Sequence, residues 1–172
     1  VVRNLPNFPD EQARVITATL ATAQGPLRLI NAYFVNGQAP GTDKFAYKLR
    51  WLAALTEWVR SQLAHYPRLV LMGDFNVAPD DRDTFDPIGL AGTIHHTPEE
   101  RAHFQQLLGL GLHDSFRLFE QPEKSFSWWD YRMLGFQKNR GLRIDHILIS
   151  DALKPQASAC HSDRAPRKNK QP

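Results

Sequence analysis

The pattern of apolar and polar positions begins with a β-hairpin and a long amphipathic helix. Val and Thr alternate with Ile, Ala and Leu over 14–22, and after a turn at 24–26 a second run of β-type composition covers 27–35. This arrangement predicts two antiparallel strands. The following apolar side chains recur at steps of three or four, which predicts a helix over 44–66 that Pro67 ends. They are Phe45, Leu49, Leu52, Leu55, Val59 and Leu63.

A continuous apolar run and a helix-start signal organise the rest of the chain. The run 69–72 precedes a Gly-Asp turn and predicts a strand buried on both faces. An acidic loop with several Pro and Gly residues covers 77–97, and a capping-box spacing at Thr97 predicts a second helix over 98–108. Further β-type runs lie at 115–119, 125–131 and 142–150. Because strands and helices interleave, the sequence predicts a mixed α/β fold in layers, in one domain.

Charge and composition indicate an ordinary soluble protein without naming a partner. The 172 residues carry 21 Lys and Arg against 18 Asp and Glu, and four of the basic residues lie in the last nine. Residues 1–163 are therefore almost neutral together, and we interpret the basic end as a solvated tail. No segment approaches the roughly 18 apolar residues of a membrane span, and no signal-peptide pattern opens the chain. With only Cys160 available, no internal disulfide can form, which is compatible with a cytoplasmic location. The four basic residues are Arg164, Arg167, Lys168 and Lys170.

A carboxylate and an amide follow the predicted buried strand. In Gly-Asp-Phe-Asn at 73–76, Asp74 and Asn76 are two residues apart, and on an extended chain they project to the same side. Oxygen ligands of this kind suit Mg²⁺, or suit holding a phosphate and a water in line. The alternative is that Asp74 and Asn76 only build a turn.

A second carboxylate lies in an apolar strand. Asp145 shares an alternating row with Ile147 and Ile149, where a bare carboxylate is costly to bury unless it is paired. One use for such a group is to orient a catalytic His. The alternative is a structural salt bridge, with Arg143 or with a neighbouring segment.

Aromatic and imidazole side chains leave several interpretations open. Tyr33 ends a strand before a polar turn, where its hydroxyl could bind a phosphate oxygen or its ring could be half-buried core. The indoles at 128–129 suit stacking on a base or lining a sugar pocket, but they also suit strand core. The histidines lack the spacing of a zinc site, and we interpret them as surface or satisfied side chains.

Taken in order, four motifs resemble one enzyme family. They are Asn-Ala-Tyr at 31–33, Gly-Asp-Phe-Asn at 73–76, Phe-Ser-Trp-Trp-Asp-Tyr-Arg at 126–132 and Asn-Arg-Gly-Leu-Arg-Ile-Asp at 139–145. The set resembles bacterial exonuclease III, an apurinic/apyrimidinic endonuclease of the endonuclease/exonuclease/phosphatase superfamily. The last two motifs are the more specific to the DNA-repair branch. The resemblance implies a four-layer α-β-β-α sandwich of the DNase I-like type.

The resemblance also implies an activity and the residues that perform it. Family members hydrolyse the phosphodiester 5′ to an abasic site in double-stranded DNA, and they degrade or clean 3′ ends, with Mg²⁺ or, as the alternative, Mn²⁺. Asp74 resembles the acid that activates water or protonates the leaving oxygen, and Asn76 its partner in holding phosphate and metal. Tyr33 resembles the phenol that binds the scissile phosphate, and Asn36 resembles a further phosphate contact. Asp145 resembles the carboxylate that orients the catalytic His.

Four more residues fall where the family contacts its substrate. Trp128, Leu142 and Ile144 resemble the lining of a small apolar pocket for a flipped-out abasic deoxyribose. A site without a base is easier to extrude than an intact nucleotide, which fits such a pocket. Arg132 would lie near the duplex groove.

The sequence departs from the family at both ends. Nothing before Val1 supplies the family's first Asn and its metal-binding Glu, and Ser-Asp-Arg at 162–164 is not the Ser-Asp-His that carries the catalytic His. We therefore expect residues 1–172 to be a partial domain, monomeric, with little or no activity alone. Two other functions stay open: another hydrolase of the superfamily, such as a phosphoinositide phosphatase, sphingomyelinase or general DNase, and a non-catalytic nucleic-acid-binding module.

Overall fold

A five-stranded sheet is the centre of the structure, a computed structural model that describes residues 4–9 and 12–168. Its strand order is β1-β2-β3-β7-β4, and a separate two-stranded sheet pairs β5 with β6. Only the β2–β3 pair in the large sheet is parallel. The strands are β1 (Val15–Leu20), β2 (Leu27–Ala32), β3 (Leu69–Asp74), β4 (Leu112–Asp114), β5 (Trp128–Trp129), β6 (Gly141–Leu142) and β7 (Asp145–Ser150).

Both predicted helices are confirmed, and each begins at a side-chain cap. Helix α1 spans Asp43–His65, and the Thr42 hydroxyl accepts from the amide of Phe45. Helix α2 spans Pro98–Leu108 and has the predicted capping box between Thr97 and Glu100. Each cap satisfies backbone amides that have no partner within the helix, so the helix starts were readable from the sequence. Neither helix, nor any other in the described segments of the chain, has the length and hydropathy needed to cross a membrane.

One face of the large sheet forms the core with both helices. The core includes fully buried side chains from β2, β3, α1 and β7, together with Phe104 and Leu107 of α2. On the opposite face Ile16 is 50% exposed and Ile147 is 44% exposed, and Met72, paired with Ile147, is only half-buried. The prediction that 69–72 is buried on both faces is therefore wrong. Among the described residues, one helix layer and one large sheet of the four-layer α-β-β-α arrangement are present.

Three predicted strands differ from the structure. The run 115–119 is a 3-10 turn at Ser115–Leu118, because the Asp114 carboxylate accepts from the amide of Phe116 and turns the chain at the end of β4. The run 125–131 is extended only at β5, since Asp130 accepts from the Arg132 amide and starts a second turn. The run 142–150 is divided between β6 and β7.

The basic end of the chain is not simply a solvated tail. The guanidinium groups of Arg164 and Arg167 lie 5.1 and 5.8 Å from the ring centre of Trp129, within cation–π range. Lys168 is exposed, and Lys170 lies outside the described residues. The interpretation as solvated is therefore wrong for Arg164, which is half-buried and also contacts Phe136, whereas Arg167 is exposed.

Candidate active site

Asp74 and Asn76 meet where β3 ends, but not in the predicted way. Asn76 adopts a left-handed backbone conformation with φ of 50°, so the chain turns instead of continuing as a strand. This turn places the backbone nitrogen of Asn76 2.8 Å from Asp74 Oδ1, and the side-chain nitrogen Nδ2 of Asn76 lies 3.3 Å from Asp74 Oδ2. The prediction that both side chains project from an extended segment is wrong. Their proximity comes from direct hydrogen bonds.

Asn36 extends this pair into a chain of hydrogen bonds. Asn36 Nδ2 donates to Asn76 Oδ1 at 3.1 Å, and Asn76 Nδ2 also donates to the carbonyl of Phe34 at 3.1 Å. Asn76 is 3% exposed, so its amide orientation is set by these partners. The close approach of β2 to β3 requires Gly73, where a Cβ would lie 2.1 Å from the Ala32 carbonyl oxygen. Gly73 therefore permits the close contact between β2 and β3 at the end of the sheet where Asn36 and Asp74 follow.

Asp145 lies beside Asp74 on the neighbouring strand. The two residues face each other in the register of β3 and β7. Asp145 is exposed, so the expectation that it is buried in the apolar row and must therefore be paired is wrong. The alternative salt bridge with Arg143 is also wrong, because the Arg143 guanidinium binds the carboxylates of Asp83 and Asp114.

The carboxyl group of Asp74 is unusually basic. Its pKa is raised from 3.8 to about 6, mainly by burial and in smaller part by the charge of Asp145. The Asn76 amide and the Lys48 ammonium oppose these effects. A carboxyl whose pKa lies near 6 can exchange protons close to neutral pH, which is the property expected of a general acid or base.

Tyr33 is an exposed ring beside the same carboxylate. It is 54% exposed, so the alternative of a half-buried core ring is wrong. Tyr33 and Asp74 line one open cleft of about 600 Å³, with Arg14 and Asn31. The Arg14 guanidinium lies 5.6 Å from the Tyr33 ring centre.

A second cavity, of about 630 Å³, collects three of the four predicted substrate contacts. Trp128, Arg132 and Leu142 line it, and Trp128 is 38% exposed. Ile144 does not line this cavity. It is buried against Leu142 and Ala78.

The flanking polar contacts fix the geometry of this cavity wall. Arg132 forms a two-point ion pair with Asp130, at 3.0 and 2.9 Å, and its side chain stays mostly exposed. The second indole, Trp129, is buried and donates to Asn139 Oδ1, so for this residue the strand-core alternative is confirmed.

The sequence profile of the endonuclease/exonuclease/phosphatase family matches residues 1–167. The chain belongs to this family. Exodeoxyribonuclease III of Haemophilus influenzae is 40% identical over 156 residues, which are 84% of this chain and 57% of that protein.

Solved structures of endonuclease/exonuclease/phosphatase proteins have the same fold. A 3′ phosphatase, NExo, from Neisseria, bound to a product DNA hairpin, superposes with a TM-score of 0.94 at 44% identity. An AP endonuclease from Archaeoglobus fulgidus superposes with a TM-score of 0.90 at 28% identity. Each comparison covers 99% of this chain and 65% of the other. The chain thus spans between about half and two thirds of the length of these relatives.

Sequence reasoning missed three residues beneath the site. Lys48 and His95 contact the carbonyl of Asn76, and Glu100 binds both of them; Lys48 and Glu100 are fully buried. The sequence contained one usable signal, because Lys48 lies three residues after Phe45 and four before Leu52 on the apolar face of α1. His95 is half-buried and contacts the Asn76 carbonyl, which fits the interpretation of a satisfied side chain. Burial, reinforced by the nearby Lys48 charge, lowers its pKa to about 4.

The residues of the site offer an incomplete metal shell. No cluster of three or more His, Cys, Asp and Glu side chains suited to a metal ion occurs within 4–9 and 12–168. Asp74 and Asp145 are neighbouring carboxylates, which fit a hard divalent cation. The Asn76 amide oxygen already accepts from Asn36, so its role in metal binding stays a prediction.

Proposed function

We propose that the chain supplies catalytic residues of a Mg²⁺-dependent DNA-repair phosphodiesterase of the exonuclease III type. Its substrate would be double-stranded DNA, cleaved 5′ to abasic sites and degraded or cleaned at 3′ ends. The observation that carries the proposal is the hydrogen-bonded chain from Asn36 through Asn76 to Asp74, beside the exposed Tyr33. The names of the relatives, an exodeoxyribonuclease III, a 3′ phosphatase and an AP endonuclease, support it.

Each residue has a distinct role in this proposal. Asp74 takes a proton from the attacking water or returns one to the leaving oxygen, as a carboxyl with a pKa of about 6 can do. Tyr33 donates to a phosphate oxygen from its exposed position, and Asn36 adds a further phosphate contact. Asp145 orients a catalytic His. A bound divalent ion, held by Asp74 with Asn76 or Asp145 beside it, would neutralise charge on the phosphate.

The cavity beside this cluster is the proposed position of the extruded sugar. Trp128 and Leu142 provide apolar walls, with Ile144 behind Leu142 as support. The Arg132 side chain is mostly exposed, and we propose that the guanidinium protons not used by Asp130 donate to a DNA phosphate. We propose that the protein acts as a monomer, and that residues 1–172 alone have little or no activity.

The test compares substrates and variants in the full-length protein. Purified protein with Mg²⁺ should cut an abasic duplex and shorten 3′ ends, and should leave a phosphoinositide unchanged. Asp74→Asn should reduce turnover at least about 100-fold, because it removes the group that transfers the proton, while DNA affinity changes little. Asp43→Asn, at an exposed carboxylate at the start of α1, is the matched control.

Two outcomes would contradict the proposal. Hydrolysis of the phosphoinositide instead of DNA would identify another branch of the family. DNA binding without cleavage, equal in the wild type and in Asp74→Asn, would identify a non-catalytic binding module.

A further inference from the structure

A buried ion pair lies directly beneath the turn that holds Asp74. Lys48, in α1, and Glu100, in the first turn of α2, are both 0% exposed, and Lys48 Nζ donates to Glu100 Oε1. The pair thus joins the two helices at the site. Gly37 packs against it so closely that a Cβ would lie 2.8 Å from Lys48 Cδ.

The other donors of Lys48 are used by the main chain of the site. Its ammonium group donates to the carbonyl of Asn76 at 2.8 Å and to the carbonyl of Asn36 at 3.1 Å. An ammonium group has three protons, so Glu100 and these two carbonyls use all of them. Lys48 therefore binds both asparagines of the hydrogen-bonded chain at their backbones.

Glu100 holds the segment 95–97, whose His95 contacts the same turn. Its Oε1 also accepts from the amide of His95 at 3.1 Å, and its Oε2 accepts from the amide and hydroxyl of Thr97. Nδ1 of His95 in turn lies 2.6 Å from the Asn76 carbonyl oxygen. The Asn76 carbonyl is thus held from two directions.

The turn requires such support. A left-handed conformation is disfavoured for a residue other than glycine, and Asn76 must keep it for its amide to reach Asp74 Oδ1. A buried ion pair contributes little net stability compared with apolar side chains of the same volume. Apolar side chains could not donate hydrogen bonds to the Asn36 and Asn76 carbonyls, as Lys48 does.

We propose that Lys48 and Glu100 are positioning residues of the active site, which hold the backbones of Asn36 and Asn76 and thereby orient the Asp74 carboxylate. They act through the asparagines and do not touch the substrate. The inference rests on the proposed nuclease function for its kinetic consequence, but the positioning itself can be measured without catalysis.

The kinetic test uses a neutral double variant. Lys48→Met alone would leave the Glu100 carboxylate buried without its partner, so Lys48→Met is combined with Glu100→Gln to keep the protein folded. The double variant should lose about 10- to 100-fold in kcat on duplex DNA, because a shift of about 1 Å at a reacting group has that effect. KM should change less than about threefold, since Lys48 holds only Asn36 among the proposed DNA contacts, and Tyr33 and Trp128 have no hydrogen bond to the pair.

The control is a core substitution on the same helix. Leu55→Ala removes a fully buried side chain about two turns from Lys48 and makes no hydrogen bond to either asparagine. Its kcat should equal that of the wild type at a temperature where circular dichroism shows both proteins folded. A folded double variant with the same kcat as Leu55→Ala would overturn the proposal.

Amide hydrogen exchange separates this inference from the proposed function. The Asn76 amide should exchange faster in the double variant than in the wild type and in Leu55→Ala, because its hydrogen bond to Asp74 loosens. If the wild type cleaves no DNA, the proposed function fails and the exchange measurement still decides the positioning role. Unchanged protection at Asn76 in the double variant would overturn that role.

Discussion

Replacing Asp74 by Asn should make the metal-free protein more stable relative to the wild type as pH rises from about 4 to about 7. Burial raises the pKa of Asp74 from 3.8 to about 6, so the folded state disfavours the ionised carboxylate. For a fully buried group this shift corresponds to about 3 kcal/mol of unfolding free energy. Asp74 is only half-buried, and solvent screening reduces the expected value to about 1 to 2 kcal/mol.

The sign of the effect follows from proton binding. Below about pH 4 the Asp74 carboxyl is neutral in the folded and in the unfolded state, so it does not lower the free energy of unfolding. Between about pH 4 and pH 6 the folded state retains a proton that the unfolded state has lost, so stability falls as pH rises. Above about pH 6 the full penalty is present. The advantage of Asp74→Asn over the wild type should therefore grow by about 1 to 2 kcal/mol from about pH 4 to about pH 7.

Urea unfolding in the presence of a chelator measures this difference. Free energies are compared at about pH 4, 5, 6 and 7 for the wild type and for Asp74→Asn. Asp43→Asn controls for the loss of one negative charge at an exposed position. A free-energy difference that does not change with pH would refute the reasoning, as would a variant that loses stability relative to the wild type as pH rises.

Two further predictions concern stability alone. Arg143→Met should lower the unfolding free energy by about 3 to 5 kcal/mol, because it leaves the buried carboxylate of Asp114 without its cation and leaves Asp83 with Arg117 alone. Urea unfolding measures this loss, and an effect no larger than that of Arg60→Met, at an exposed ion pair, would contradict the prediction. Thr97→Ala should lower the unfolding free energy by about 1 kcal/mol through loss of the α2 cap, and an unchanged thermal midpoint would argue against a contribution from that cap.

The sequence predicted well those elements whose formation depends on residues close together along the chain. Both helices were found within about one residue of their ends, because caps and apolar spacing depend on neighbouring residues. The hairpin of β1 and β2 was also predicted, because its pattern likewise depends on neighbouring residues. The run 115–119 was misassigned because the Asp114 side chain turns the chain there, although the composition suits a strand.

The sequence predicted only part of the candidate site, because some of its residues come together only through contacts between distant segments. The motifs pointed to Tyr33, Asp74 and Trp128, of which the first two line one cavity and Trp128 lines another. The supporting pair of Lys48 and Glu100 was missed, because the residues are separated by 52 positions and only the packing of α1 against α2 brings them together.

The sequence by itself determined the helices, the hairpin, the family resemblance and the residue types of the site, since each depends on local spacing or on a short motif. Only the tertiary structure decided that Asn76 turns back to bind Asp74, that Asp145 is exposed and that a buried lysine holds the turn from below. These properties depend on burial and on contacts between distant segments. A one-dimensional pattern does not contain them, because the desolvation and hydrogen bonding of a side chain are set by whichever segments pack around it.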